Sequence, residues 1–290
     1  MGSIIGIVVT MVMVFGGYLA AGGKMSIILH SLPYEMSMIG GAAVGAFLVS
    51  NDMTTIKHAM GDIKSVFAGG KWKGKDFQDL LCLMFELIRV ARQSPVAIEQ
   101  HIEAPQDSSI FARYPKIAAD KSAVNMICDT IRSATMAFDD PHQVEDLLDK
   151  QLEAKKHEGQ HGPHALQNMA DGLPALGIVA AVLGVIKTMA SIDKPPEVLG
   201  QLIGGALVGT FLGVFLAYGL VGPFAAKAKT IQEEDQRFYE LIRDTLVANL
   251  QKHPPTICVE VARQNIPYKV RPSFAEVEEA LRGLPVTEAA

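Results

Sequence analysis

Two groups of residues in this sequence have the spacing of chemical sites. Gly69-Gly-Lys-Trp-Lys-Gly74-Lys75 places glycines and a lysine as a phosphate-binding loop does, where backbone N–H groups surround the phosphates of a nucleotide. Asp76 follows where that loop needs a serine or threonine hydroxyl for magnesium, and no apolar strand precedes it. We therefore interpret the segment as a basic turn and not as a nucleotide site.

The second group is a set of histidines, His157, His161 and His164, whose spacing is compatible with metal ligands. Two glycines and a proline between them disfavour a rigid helical face, and no cysteine lies nearby. We expect no metal site here, and Lys155–His164 is instead predicted to be a flexible link. The GxSxG and HExxH patterns do not occur. The sequence thus predicts no catalytic residues, no cofactor and no enzymatic activity.

The distribution of charge indicates a membrane protein. Hydrophobic residues make up 49% of the chain and charged residues 20%, and the charges avoid four stretches, Met1–Gly23, Met36–Asn51, Gly172–Ile186 and Val198–Ala226. A helix needs about 20 apolar residues to span a bilayer. We predict an all-α membrane protein with spans at about 3–21, 34–51, 172–192 and 198–222. The first stretch has no basic start and no clear cleavage site, which disfavours a signal peptide.

The positions of the lysines predict the orientation of these spans. The short loops Gly22–Pro33 and Asp193–Glu197 carry one lysine each, whereas the long polar segments begin with several lysines. Basic residues favour the cytoplasmic side, so the long segments and both termini are predicted to be cytoplasmic. The predicted domains are a first transmembrane hairpin, a cytoplasmic helical domain, a second hairpin and cytoplasmic C-terminal helices, at residues 1–51, 52–171, 172–226 and 227–290.

The polar segments are predicted to be helical. Phe77–Arg92 has apolar residues at helical spacing, Asp140-Pro141 has the pattern of a helix start, and Ser273 with Glu276 fits a capping box for a helix over Ser273–Arg282. Lys227–Gln251 is predicted to continue the fourth span. Three widely separated cysteines without a CxxC pattern are predicted to be reduced and structural. A net charge of −5 with no long basic run disfavours a nucleic-acid partner.

The third and fourth spans carry faces of small residues, which allow helix backbones to approach closely. These faces predict plain helix packing or a tight assembly around another helix, and they comprise Pro174, Gly177, Ala181, Gly184 and Thr188, then Ala206, Thr210, Gly213 and Ala217. The acidic residues Glu35, Asp171 and Glu197 are predicted to lie only at span edges. Ion transport relies on ionisable groups inside the membrane, so a partner would have to supply the carboxylate if this protein moves protons.

Four segments resemble a known family. Asp171–Gly184 and Val208–Pro223 are similar to the third and fourth spans of MotA, the A subunit of the bacterial flagellar motor stator. Ile110–Asp120 and the segment beginning Arg271-Pro-Ser-Phe are similar to its loop and C-terminal segments. The resemblance runs nearly end to end and places the chain in the MotA/TolQ/ExbB proton-channel superfamily.

The resemblance implies an architecture and a function. Five A subunits would form a ring around two helices of the B subunit (MotB), each carrying an ion-binding aspartate. Ion flow through the complex would turn the ring, and the cytoplasmic loops would exert torque on the rotor protein FliG. The implied location is the bacterial inner membrane.

The same resemblance implies roles for individual residues. Pro174 and Pro223 match two prolines that couple ion flow to conformation at the cytoplasmic ends of the third and fourth spans. Thr210 matches a hydroxyl of the ion pathway. Ala206, Gly213 and Ala217 on the same face of the fourth span, and Ala181 on the small-residue face of the third span, are assigned to that pathway with it. Arg92 and Glu99 are the best matches for rotor-facing charges, although their spacing is one residue shorter than in enteric members. Arg89, Glu103 or Lys116 could share that role, and each could instead be an ordinary solvated charge.

The coupling ion is predicted to be the proton. Sodium-driven relatives place a threonine seven residues after the matching proline, and here that position is Ala181, which has no side-chain oxygen to coordinate sodium. The alternative function is an energiser of outer-membrane processes like ExbB or TolQ. Those usually have three spans, so four spans and the Arg271-Pro-Ser-Phe segment favour the motor. A membrane enzyme or a passive scaffold is a third class, and no convergent catalytic set supports an enzyme.

Overall fold

A computed structural model describes residues 2–135 and 140–285, and all regular structure within these ranges is helical. Three π-helical turns, Val12–Gly16, Met36–Gly40 and Ala217–Val221, lie within longer helices. A single 3₁₀ turn is formed by Phe111–Arg113. The helices are α1 Gly2–Ala20, α2 Met25–Ser50, α3 Met53–Ala68, α4 Gly74–Gln93, α5 Pro95–Glu103, α6 Pro115–Ala118, α7 Lys121–Thr135, α8 Pro141–Met189, α9 Pro196–Leu250, α10 Pro255–Asn265 and α11 Phe274–Arg282.

Four of these helices, α1, α2, α8 and α9, are long and apolar enough to cross a membrane. Their number agrees with the sequence prediction, but the start of the second one does not. Helix α2 begins at Met25 and not near residue 34, because Pro33 lies inside the helix and does not start it. The predicted loop Gly22–Pro33 is therefore wrong. Glu35 lies well inside a candidate span and not at its edge.

The predicted flexible link at Lys155–His164 is also wrong, because α8 is helical throughout Pro141–Met189. Its glycines serve close packing. A Cβ on Gly162 would collide with the Asp62 carboxylate of α3 and lie 3.1 Å from the Ala59 amide nitrogen. Glycine at this position lets two helices approach, and the pattern that resembles a linker is a packing surface.

The chain divides into two compact units. The first contains the residues up to Gly69 together with Glu158–Gln232, and the second contains Gly70–His157 together with the residues from Glu233 onward. The first unit extends beyond the predicted hairpins of 1–51 and 172–226. It does so because Ala59 and Leu166, both outside those hairpins, form one buried apolar cluster with Ala225 of the second hairpin.

In the first unit, α8 and α9 touch backbone to backbone. A Cβ on Gly177 would lie 2.9 Å from the Gly209 carbonyl oxygen, and one on Gly213 would lie 2.7 Å from that of Leu173. A Cβ on Gly184 would lie 2.6 Å from the Ala206 Cβ. Real Cβ atoms do not approach other atoms this closely, so the contact requires glycine at all three positions.

The second unit has an apolar core with a few paired charges. Trp72 stacks on Phe238 with ring centroids 3.7 Å apart. Glu86 is fully buried, where it pairs with Arg113 and accepts a hydrogen bond from the Tyr114 hydroxyl at 2.8 Å. Buried charges are tolerated when they are paired and hydrogen-bonded. Part of the Ile110–Asp120 segment that carries the resemblance is thus structural.

Asp120, at the end of that segment, connects three elements of the second unit. It accepts hydrogen bonds from the Tyr239 hydroxyl and the Ala123 amide, both at 2.8 Å, and it pairs with Lys71. Burial alone would raise the pKa of Asp120, but these hydrogen bonds hold it below its usual value. Its contribution to stability is present at neutral pH and is lost as the pH falls through the lowered pKa.

Several local predictions are confirmed. Phe77–Arg92 lies within α4, and α8 begins at Pro141 with the Asp140 carboxylate accepting a hydrogen bond from the His142 amide at 3.0 Å. Ser273 and Glu276 form the reciprocal capping box of α11. The three cysteines, Cys82, Cys128 and Cys258, are free and buried. Burial raises the pKa of Cys82 and Cys128 to about 12 and also raises that of Cys258.

The glycine contact between α8 and α9 yields a stability prediction. Gly213→Ala places a methyl group against the Leu173 carbonyl and the Gly177 Cα, so the two backbones must separate. Overpacking of this kind lowers the free energy of unfolding by about 1–3 kcal/mol. Gly200→Ala in the same helix is the matched control, because a Cβ there meets no atom within 4 Å. Thermal unfolding in detergent should show a lower midpoint for Gly213→Ala alone. Equal midpoints for the two variants would show that the close contact contributes nothing.

Candidate functional site

The five predicted ion-pathway residues are divided between the interior of the chain and its surface. Ala206, Gly213 and Ala217 are buried, and the first two pack against Gly184 and Gly177 of α8. Thr210 and Ala181 are half-buried and keep part of their surface open. The structure therefore brings three of the five predicted ion-pathway residues into the subunit's own helix packing. Thr210 and Ala181 are the two that can still face a partner, and their role in ion transport stays a prediction.

The two prolines lie inside continuous helices and not at helix ends. Pro174 is half-buried within α8, and Pro223 is exposed within α9, two residues after the π-helical turn Ala217–Val221. A helix-start role for Pro174 is excluded, since α8 begins at Pro141. A proline has no N–H to donate to the preceding turn of its helix, so both positions are local interruptions in long helices. Such interruptions are where a helix bends with least effort.

Glu35 is a residue that the sequence interpretation assigned to the wrong place. Its side chain is 5% exposed, and a Cβ on Gly209 of α9 would lie 2.6 Å from its Oε2 atom. The signal was present in the sequence, because Met25–Tyr34 contains no charged residue. Pro33 made this stretch look like a loop that ends at a helix start, because proline is common at the first position of a helix. One carboxylate of this chain therefore lies inside a candidate span, contrary to the prediction that only a partner supplies one.

The two predicted rotor-facing residues differ in their surroundings. Glu99 is exposed on α5. Arg92 forms hydrogen bonds at the C-terminal end of α9. Its guanidinium donates to the Asn249 side-chain oxygen at 2.8 and 2.9 Å, to the Asn249 carbonyl at 3.4 Å, and to the His253 carbonyl. A cation that donates to the last carbonyls of a helix stabilises its C-terminus. Arg92 thus has a structural function that its sequence position did not reveal.

The other candidate rotor residues also have partners in the second unit. Glu103 pairs with Arg132 at 2.6 Å, and Lys116 pairs with Asp76. Arg89 donates to the Pro285 carbonyl at 2.6 Å. Among the predicted rotor charges, Glu99 is the one for which the structure shows no internal function in the described ranges.

In the segment Gly69–Lys75, whose spacing is similar to that of a phosphate-binding loop, the backbone amides bind a carboxylate side chain. The backbone amides of Lys71 and Trp72 donate to the two carboxylate oxygens of Asp235, at 3.0 and 3.1 Å. A carboxylate takes the place that a phosphate would need. Among all residues that the structure describes, no three His, Cys, Asp or Glu side chains lie close enough together to hold a metal ion.

The contacts of Arg92 predict a stability effect separate from any rotor contact. Arg92→Ala and Asn249→Ala should each lower the free energy of unfolding, by about 1–2 kcal/mol, because the first removes the cap of α9 and the second removes the side-chain oxygen that positions the guanidinium there. Glu99→Ala, on the exposed face of α5, is the control and should leave the unfolding midpoint unchanged. Thermal unfolding of the three variants distinguishes them. An Arg92→Ala protein as stable as the wild type would leave Arg92 with only a surface role.

Both halves of the chain are similar to known protein families. The family description "Motility protein A N-terminal" matches residues 4–95, and "MotA/TolQ/ExbB proton channel family" matches residues 120–240. Motility protein A of Salmonella typhimurium is 38% identical, with 97% of this chain and 95% of that protein covered. Motility protein A of Escherichia coli is 36% identical over the same shares.

A solved structure has the same fold. The flagellar MotAB stator complex from Bacillus subtilis superposes with a TM-score of 0.71 at 21% identity, covering 95% of this chain and 100% of the matched chain. Sequence identity well above 30% over nearly the full length of both proteins is the stronger of the two findings. By this measure, the chain belongs to the motility protein A family.

Proposed function

We propose that this chain is the A subunit of a bacterial flagellar motor stator, which together with a B subunit converts ion flow across the membrane into torque. The observation that carries the proposal is the 38% identity with motility protein A of Salmonella typhimurium over 95% of that protein. An energiser like ExbB or TolQ is the less supported function, because both halves of the chain match and the first half matches a description specific to motility protein A.

The exposed apolar surface supports insertion of the four long helices in the inner membrane. Helix α1 has no buried residue in the described chain, and its side chains include Ile5 and Met13, which are 62% and 70% exposed. Soluble proteins do not leave such a continuous apolar surface in water. With lysine-rich segments inside, both termini and the second unit lie in the cytoplasm, and the connections α1–α2 and α8–α9 face outward.

The partners follow from the same proposal. Five copies form a ring around the helices of MotB, and the partly open Thr210 and Ala181 face those helices. The second unit meets the rotor protein FliG, with Glu99 as the available charge. Contacts between exposed charges are screened by salt and individually weak, so several residues must share this contact. Arg92 contributes by holding the end of α9 in place.

The proton is the proposed coupling ion, because Ala181 offers no oxygen for sodium. Cells that rely on this chain and its own B partner should swim at unchanged speed when sodium is replaced by potassium, and should stop when a protonophore is added. A sodium ionophore is the control and should leave the speed unchanged. Swimming that depends on sodium would overturn the proposed ion without affecting the proposed stator function.

Pro174 is the second test of the proposal. Pro174→Ala restores a backbone donor inside α8 and removes a bend point, so we expect normal amounts of assembled protein and a severalfold loss of torque. Pro163→Ala is the matched control, since Pro163 is the other proline within α8. Torque can be measured from the rotation of tethered cells. If Pro174→Ala fails to assemble, or if both variants lose torque equally, the special role of Pro174 is wrong.

A further inference from the structure

Glu35 belongs to α2, and its side chain is buried with one carboxylate oxygen that accepts no hydrogen bond. The side chain is 5% exposed, and Oε2 has no hydrogen-bond partner within residues 2–135 and 140–285. The Oε2 atom lies against Gly209 of α9, at a place where any larger residue would displace it. The sequence thus leaves room for this carboxylate between two candidate spans without supplying a donor for it.

The helix around Glu35 is irregular on both sides. Pro33, two residues before it, cannot donate to the Leu29 carbonyl, so the preceding turn lacks one backbone hydrogen bond. The next five residues, Met36–Gly40, form a π-helical turn. Single π-turns inside α-helices are frequent at functional sites. A carboxylate between a proline and a π-turn lies in a helix segment that is less tightly bonded than its neighbours.

Glu35 borders a cavity of about 400 Å³ in the first unit. Its lining is partly apolar and includes five hydrogen-bonding residues besides Glu35, namely His30, Ser31, Tyr34, Lys187 and Gln201. Helix α2 begins at Met25, ten residues before Glu35, so the carboxylate lies about 15 Å along the helix from that end. In the proposed orientation that end is the outer one. The cavity then lies between the outer water and the middle of the membrane.

Two simpler explanations of Glu35 fit the observations less well. A buried carboxylate that serves only to join helices would need hydrogen bonds, and leaving one oxygen without a donor is destabilising. A metal-cation site would need several oxygen ligands. Glu35 is the one carboxylate among the residues that line this cavity, and the Lys187 ammonium also borders it. A single titrating carboxylate beside hydrogen-bonding groups suits a proton, which needs no coordination shell.

We propose that Glu35 is a proton-holding residue on the route by which protons from the outer side enter the stator. The carboxylate takes up a proton that reaches the cavity from the outer side to form the carboxylic acid, and then releases that proton toward the ion-binding site of the complex, returning to the carboxylate. Ionisable residues inside the membrane typically mark such routes. The inference rests on the proposed proton coupling and adds a residue of this chain to a path otherwise assigned to its partner.

The test compares motors at low and high load. At high load the motor turns slowly and each proton has ample time to transfer, whereas at low load the rate of proton transfer limits the speed. Glu35→Gln keeps the size of the side chain and cannot hold a proton on a carboxylate. A positioned proton-transfer group contributes about 10²-fold or more to the rate, so low-load speed should fall by at least about tenfold while torque near stall changes little.

Two further variants calibrate that result. Glu197→Gln removes an exposed acidic residue at the start of α9 and should leave both speeds unchanged. Glu35→Asp keeps a titrating group and should recover part of the low-load speed. External pH should change low-load speed less in the Glu35→Gln motor than in the wild type, because the titrating group is gone. Membrane abundance and capture of the B partner are measured for every variant.

Each outcome decides the proposal. Wild-type speed of Glu35→Gln at low load, in a motor shown to be proton-driven, would overturn the role of Glu35 and leave the proposed function intact. Equal losses at low and high load would make Glu35 structural and would also overturn it. If Glu35→Gln does not assemble, Gln201→Leu decides, since it makes the same cavity less polar from an exposed position on α9. Unchanged low-load speed of that variant would overturn the proposal, as would a sodium-driven wild-type motor, which the sodium replacement identifies separately.

Discussion

The close backbone contact between α8 and α9 is the constraint on which the first unit depends. Inside a membrane, apolar side chains gain little by leaving lipid, so helices associate through packing. Gly177, Gly184 and Gly213 bring the two backbones together, and Gly209 next to them leaves the space that Glu35 of α2 occupies. The glycines that join two helices thus also determine where a third helix can place a charge.

The second unit is stabilised by different chemistry. Its apolar side chains gain free energy by leaving water, and its buried acids are paired, as Glu86 is with Arg113 and Asp120 with Lys71. In the first unit Glu35 and Asp62 each retain a buried oxygen without a donor in the described chain. Burial raises the pKa of Asp62, which lies outside the candidate spans. The paired acids stabilise the second unit, whereas Glu35 and Asp62 lack such complete pairing in the first.

The sequence was sufficient wherever one local rule determined the structure. Uncharged runs identified four long helices, and the cap patterns at Asp140 and Ser273 correctly marked two helix starts. It was misleading where one residue type has two uses. Pro33 can start a helix or interrupt one, and Gly162 can loosen a chain or admit a neighbouring helix. Only the residues packed against such a position decide between these uses, so the sequence alone does not reveal the burial of Glu35 or the capping function of Arg92.

The three buried thiols have a practical consequence for studies of this subunit. A thiol reacts as its thiolate, and a pKa of about 12 leaves Cys82 and Cys128 almost entirely protonated at neutral pH. Cys258 is fully buried. The native cysteines of the folded chain should therefore react very slowly with maleimides. A single cysteine introduced at an exposed position such as Glu99 could carry a fluorophore or a cross-linker with the native cysteines left in place.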